Sequence, residues 1–115
     1  MTVTDEQVAF YEKEGYVVIK GALTNGDLAP LIQEHDLIVD EIARDLHTQG
    51  KITSLHEREP FKTRLARLAD ECEQVDGVPD IGNTRRRATF DFLRNQRLVD
   101  VIEPFIGAEI SCNPV

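Results

Sequence analysis

Between Thr24 and Gly50, Leu28, Leu31, Ile32, Ile38, Val39, Ile42 and Leu46 recur at steps of three and four, with His35 in the same series. That period places them on one side of a helix up to about 39 Å long at 1.5 Å per residue. Asp36, Asp40, Glu41, Arg44 and Asp45 fall largely on the other side. A rod of this length in 115 residues leaves room for one core, built by packing shorter elements along its apolar stripe. Pro30 interrupts the stripe near its start. An interior proline removes one hydrogen bond and costs about 3 kcal/mol, so the sequence predicts either a kink or a one-turn lead-in followed by the main helix from Pro30.

The segments around the rod are short. Thr4-Asp5-Glu6-Gln7 has the form of a capping box and opens a helix that Gly15 closes. Tyr16-Val17-Val18-Ile19, bounded by Gly15 and Gly21, has the composition of a strand. Lys51 to Glu59 reads as a loop. Pro60 then suits the first turn of a third helix, along which Phe61, Leu65, Leu68, Cys72 and Val75 continue at helical spacing. Residues 77–83 hold two glycines and a proline and form the clearest break. Asn95 is an N-cap for a last helix with Leu98, Val99, Val101, Ile102, Phe105 and Ile106, apolar over more than half its circumference and so expected to be well buried. Gly107 closes it, with Pro104 near its end. Glu109 to Val115 then alternates in the manner of a strand, which needs neighbours that the chain does not supply.

Net charge −8 argues against general nucleic-acid or anionic-membrane binding, and no run approaches the length of a membrane span. Cys72 and Cys112 are too few and too far apart for a zinc site or a disulfide framework. Together with an N-terminus that has no signal-peptide pattern, this predicts a cytoplasmic protein. Against the acidic background one basic run stands out: Arg85, Arg86, Arg87, Arg94 and Arg97, with Asp91 among them. Guanidinium forks suit carboxylates and phosphates, so the run is either a site for an anionic group or a set of partners for the acidic long helix. Phe90 and Phe92 read as core anchors.

A facial iron site needs His-x-Asp/Glu and a distant second His. His35, His47 and His56 are followed two residues on by Leu37, Gln49 and Arg58. No acidic residue lies three positions before any of them, and there is no Gly-rich phosphate loop. His35 reads as a hydrogen-bonded core or boundary residue, and the other two as solvated.

Two stretches carry a resemblance. Thr4-Asp5-Glu6-Gln7 followed by Phe10-Tyr11-Glu12-Lys13-Glu14-Gly15-Tyr16-Val17-Val18-Ile19-Lys20-Gly21-Ala22-Leu23 resembles the N-terminal part of the phytanoyl-CoA dioxygenase family, where a helix, a Gly-Tyr pair and an apolar strand precede a long helix. Arg87-Ala88-Thr89-Phe90-Asp91-Phe92-Leu93-Arg94-Asn95, the helix after it and Ile106-Gly107-Ala108-Glu109-Ile110 look like that family's lead-in to its catalytic barrel. The resemblance implies a non-haem Fe(II), 2-oxoglutarate-dependent dioxygenase that hydroxylates a small organic or acyl-CoA-like substrate, with a double-stranded β-helix framed by N-terminal helices. The family's His-x-Asp, second His and cosubstrate arginine follow the matched segment, so no catalytic, cofactor-binding or metal residue carries over.

The resulting expectation is an α+β, helix-rich segment, residues 1–115, with short strands and an absent or incomplete barrel: the N-terminal part of an oxygenase domain truncated at Val115 and inactive alone. Fe(II) and 2-oxoglutarate belong to the intact family, and neither is expected to bind this chain by itself. Arg86, Arg87 and Asn113 are the candidate substrate-side contacts. Partners would be a small-molecule substrate in the intact enzyme, with no nucleic acid and no membrane, and association through exposed apolar helix faces and the unpaired C-terminal strand. The alternatives are a small acidic helical protein-interaction module without catalytic activity, and a truncated reading frame with no role of its own.

Overall fold

The computed structural model describes residues 2–75 and 85–112. Among these residues five helices follow one another: α1 (Asp5–Glu14), α2 (Asn25–Thr48), α3 (Phe61–Glu71), α4 (Arg87–Leu93) and α5 (Gln96–Ile106), with a 3₁₀ turn at Glu73–Val75 after α3. Among the described residues there is no strand, which overturns the α+β expectation and, with it, the barrel lead-in. Tyr16–Ile19 has strand-forming residues but no second strand to pair with, and an isolated strand gains nothing from its composition. Tyr16, Val17 and Ile19 instead line a cavity shared with α5. Residues 109–112 likewise form no strand, so the C-terminal edge offered for association is absent there; Asn113 and the two residues after it lie outside the described residues.

The helix ends follow from local chemistry. Thr4 Oγ1 accepts from the Gln7 amide at 3.2 Å while Gln7 Oε1 accepts from the Thr4 amide at 2.9 Å, and Gly15 closes α1 at φ +81°. Thr24 and Asp27 form the same reciprocal cap on α2. Asn95 Oδ1 accepts from the amides of Arg97 and Leu98 at the start of α5. Pro30 neither ends α2 nor sets off a lead-in; the helix runs through it, because at an exposed position early in the helix a proline sacrifices one bond.

The core lies at one end. Val39, Ala43 and Leu46 of α2, Ile52, Leu68 of α3 and Val75 are buried together, with Ile42, Leu55, Leu65 and Cys72 packed against them. α3 stops at Glu71, and it is the 3₁₀ turn that delivers Val75 into this cluster. Arg64, only 5% exposed, joins three segments: its guanidinium donates to the Leu55 carbonyl at 3.0 and 3.2 Å and to Asp40 Oδ1 at 2.8 Å.

Among the described residues the other end has no comparable core. No residue of α1, α4 or α5 is buried, contrary to the burial expected for α5. α1 and α5 meet through an edge-on pair, Tyr11 and Phe105, with ring centroids 5.0 Å apart. Tyr16, Val18 and Ile106 are each more than half exposed. The result is elongated, 54 × 28 × 25 Å with a radius of gyration of 17.7 Å, where a compact domain of this length has about 13 Å. No helix among the described residues is long and apolar enough to cross a membrane.

Candidate functional site

α4 is held by polar contacts reaching back to α2. Glu34 takes the place of an N-cap side chain: its carboxylate accepts from the amides of Ala88 and Thr89 at 3.2 Å each and from Thr89 Oγ1 at 3.4 Å. Arg86, at the N-cap position, donates to Glu41 through both terminal nitrogens, at 2.6 and 3.3 Å. This hydrogen-bonded pair holds the Glu41 carboxyl below the usual carboxylate range and raises Arg86. About two turns of α2 before Glu34, Asp27 accepts from Asn95 Nδ2 at 3.1 Å and lies 3.5 Å from Arg97. Its carboxyl is held low by the Thr24 amide first and by Asn95 next. Two arginines of the basic run therefore pair with the acidic long helix, and Arg87 pairs with Asp91 at 3.0 Å on its own helix.

Beside α4 two cavities adjoin. One, of about 570 Å³, is bounded by Arg85, Arg86 and Arg87 and by Phe90, Leu93 and Cys112. The second, of about 460 Å³, shares Phe90, Leu93 and Cys112 and extends to Arg94, Val99 and Ile110. Both are mostly apolar in surface, and each lies in the size range of small-molecule sites. Arg94 rests over the Phe90 ring at 5.2 Å. Arg86 and Arg87 thus share one cavity, although each guanidinium already has a carboxylate. Arg85 has no hydrogen-bond or ion-pair partner among the described residues. Phe90, expected in the core, is 53% exposed and forms cavity wall. Leu93 and Ile110 escaped the sequence reading as site residues because their neighbours are set by the fold.

A third cavity, of about 360 Å³, runs between α1 and α5, with Tyr11, Tyr16, Val17 and Ile19 on one side and Phe105 and Ile106 on the other. It is the open side of the poorly cored end.

The three histidines do not converge on a metal. Among the described residues no group of three or more His, Cys, Asp or Glu side chains could hold an ion, so they do not fit the iron site that the resemblance implies. His35 Nε2 is buried with no hydrogen-bond partner among the described residues, unlike the bonded residue expected. His47 is exposed. His56 is no solvated side chain: its Nε2 lies 2.8 Å from Glu71 Oε2, while Glu71 Oε1 accepts from the Thr53 hydroxyl at 2.5 Å and the Thr53 amide at 3.1 Å. These contacts, Thr53 first and His56 next, lower the Glu71 carboxyl to about 2. They tie the loop after α2 to the end of α3, a structural clasp.

No protein-family model matches the chain, and neither the curated proteins nor the solved structures yield a match.

Proposed function

We propose that this chain is a helical framing segment of an Fe(II)/2-oxoglutarate-dependent dioxygenase, with iron and cosubstrate held by polypeptide other than these residues. The sequence resemblance supplies the chemistry. The observation that carries the framing role is the exposed apolar side chains at the α1–α5 end, where Tyr16 and Val18 in the segment after α1 and Ile106 at the end of α5 are more than half exposed. Exposed apolar area that is contiguous marks an interaction surface, and polypeptide laid on this one would gain roughly 25 cal/mol per Å² of apolar surface covered. The α2–α3 end supplies its own core and anchors the segment; the α1–α5 end meets the catalytic part. In this reading the segment alone neither turns over 2-oxoglutarate nor holds iron tightly, and the protein is cytoplasmic, consistent with thiols too widely separated in sequence to suggest a disulfide framework.

Reading the transcript 3′ to the Val115 codon tests this. In-frame His-x-Asp followed by a distant His supports the framing role. An immediate stop codon, or iron-dependent succinate release by the isolated chain, contradicts it.

A second reading, a non-catalytic interaction module, is favoured by the self-contained α2–α3 core, which gives such a module a stable base. It requires the isolated chain to be a well-behaved species that binds a partner through α1 and α5. Concentration-dependent aggregation with strong binding of a hydrophobic dye counts against it.

A further inference from the structure

The paired cavities beside α4 differ from the α1–α5 groove in one respect that selects a ligand: charge. Their walls are mostly apolar, yet the first carries three consecutive arginines. Two of these are committed, Arg86 to Glu41 and Arg87 to Asp91. Arg85 has no partner among the described residues, and the guanidinium of Arg94 in the second cavity lies over Phe90. Of the three arginines in the first cavity, Arg85 alone has no carboxylate partner among the described residues, and in a chain of net charge −8 it is matched by one negative charge. Phe90 and Leu93, common to both cavities, offer an apolar body continuous contact from Arg85 towards Val99 and Ile110.

We infer that the α4 cavities bind an organic monoanion with an apolar body, its carboxylate on Arg85 and its hydrocarbon against Phe90 and Leu93. Small polyanions are disfavoured, because Arg86 and Arg87 are neutralised by their own carboxylates and further negative charge would lie close to Glu41 and Asp91. Neutral apolar compounds gain the wall contacts and forgo the charge-assisted bond, which is typically worth a factor of about 10 or more in affinity. The inference goes beyond the framing role and does not depend on it: it concerns Arg85 to Cys112 in this chain, whatever polypeptide covers α1 and α5.

The test is titration of the ¹⁵N-labelled chain with octanoate, followed by amide chemical shifts and calorimetry, with 1-octanol, 2-oxoglutarate and inorganic phosphate as comparison probes. Octanoate is expected to bind once per chain, shifting the amides of Phe90, Leu93 and Ile110, and to bind about tenfold or more tightly than octanol, while 2-oxoglutarate and phosphate leave those amides in place. Arg85→Gln, at an exposed position before α4, should weaken octanoate about tenfold and leave octanol unchanged. Leu93→Asp, at a residue 38% exposed, should weaken both, with the helical circular dichroism of each variant retained. The inference is overturned if octanol matches octanoate, if Arg85→Gln leaves octanoate affinity unaltered, if the shifts fall in the Tyr11–Ile106 groove, or if phosphatidylglycerol vesicles bind where monomeric octanoate does not.

Discussion

Truncating Leu68 and truncating Phe105 should have very different consequences, because the two residues sit at opposite ends of a molecule with one core. Leu68 is 0% exposed and lies among Val39, Ala43, Leu46, Ile52 and Val75. Leu68→Ala deletes three carbons, worth about 2.4 kcal/mol at roughly 0.8 kcal/mol per buried CH₂. The cavity left behind adds to this, for a total of about 2–5 kcal/mol. Small domains are stable by only about 5–15 kcal/mol, so the substitution removes a large share. Phe105 is half-buried and its main aromatic contact is edge-on with Tyr11; such a pair contributes about 0.5–1.5 kcal/mol beyond the area it buries, and with the partial burial of the ring Phe105→Ala should cost about 2 kcal/mol, below the loss at Leu68. Urea denaturation followed by far-UV circular dichroism reads both. Equal losses for the two variants, or a loss for Phe105→Ala above that for Leu68→Ala, would refute the single-core description.

Three further substitutions probe individual contacts. Glu71 has its carboxyl lowered from 4.5 to about 2, so its contribution is complete above about pH 4.5 and disappears as pH falls towards 2; the difference in Tm between the parent and Glu71→Gln should be constant above pH 5, close on acidification, and argue against the clasp if it persists unchanged at pH 2. Glu34→Ala leaves the Ala88 and Thr89 amides without their acceptor, which should cost about 0.5–2 kcal/mol as for other lost caps and speed hydrogen exchange in α4 more than in α3. Gly15→Ala meets no atom within 4 Å but must hold φ near +81°, so it should cost about 1–2 kcal/mol through the backbone alone, read as fraying of α1 by circular dichroism.

What the sequence made legible was local. Thr4, Thr24 and Asn95 announce helix starts, and Gly15 and Gly107 announce ends, because a cap is satisfied within three or four residues of itself. The strand expected at Tyr16–Ile19 does not form because β-branched composition has value only beside a second strand, and among the described residues this segment has none, facing α5 across a cavity instead. α4 was invisible as a helix for the same reason in reverse: it is seven residues long, and the carboxylate that caps it comes from Glu34 in α2. The burial of α5 was misjudged from its apolar circumference, which records what the helix can cover and says nothing of whether a cover is present. Arg85, Arg86 and Arg87 were found by their charge. That Arg85, of these three, has no carboxylate partner among the described residues depends on where Glu41 and Asp91 fall in space.

The central claim is that this chain carries a core at its α2–α3 end and presents an uncovered apolar side at its α1–α5 end. Amide hydrogen exchange on the isolated chain tests it most directly, since protection follows local stability. Amides from Val39 to Leu46 and from Leu65 to Leu68 should exchange slowest, at rates set by global unfolding, while those of α1 and α5 exchange orders of magnitude faster. Uniform protection across all five helices would contradict the claim.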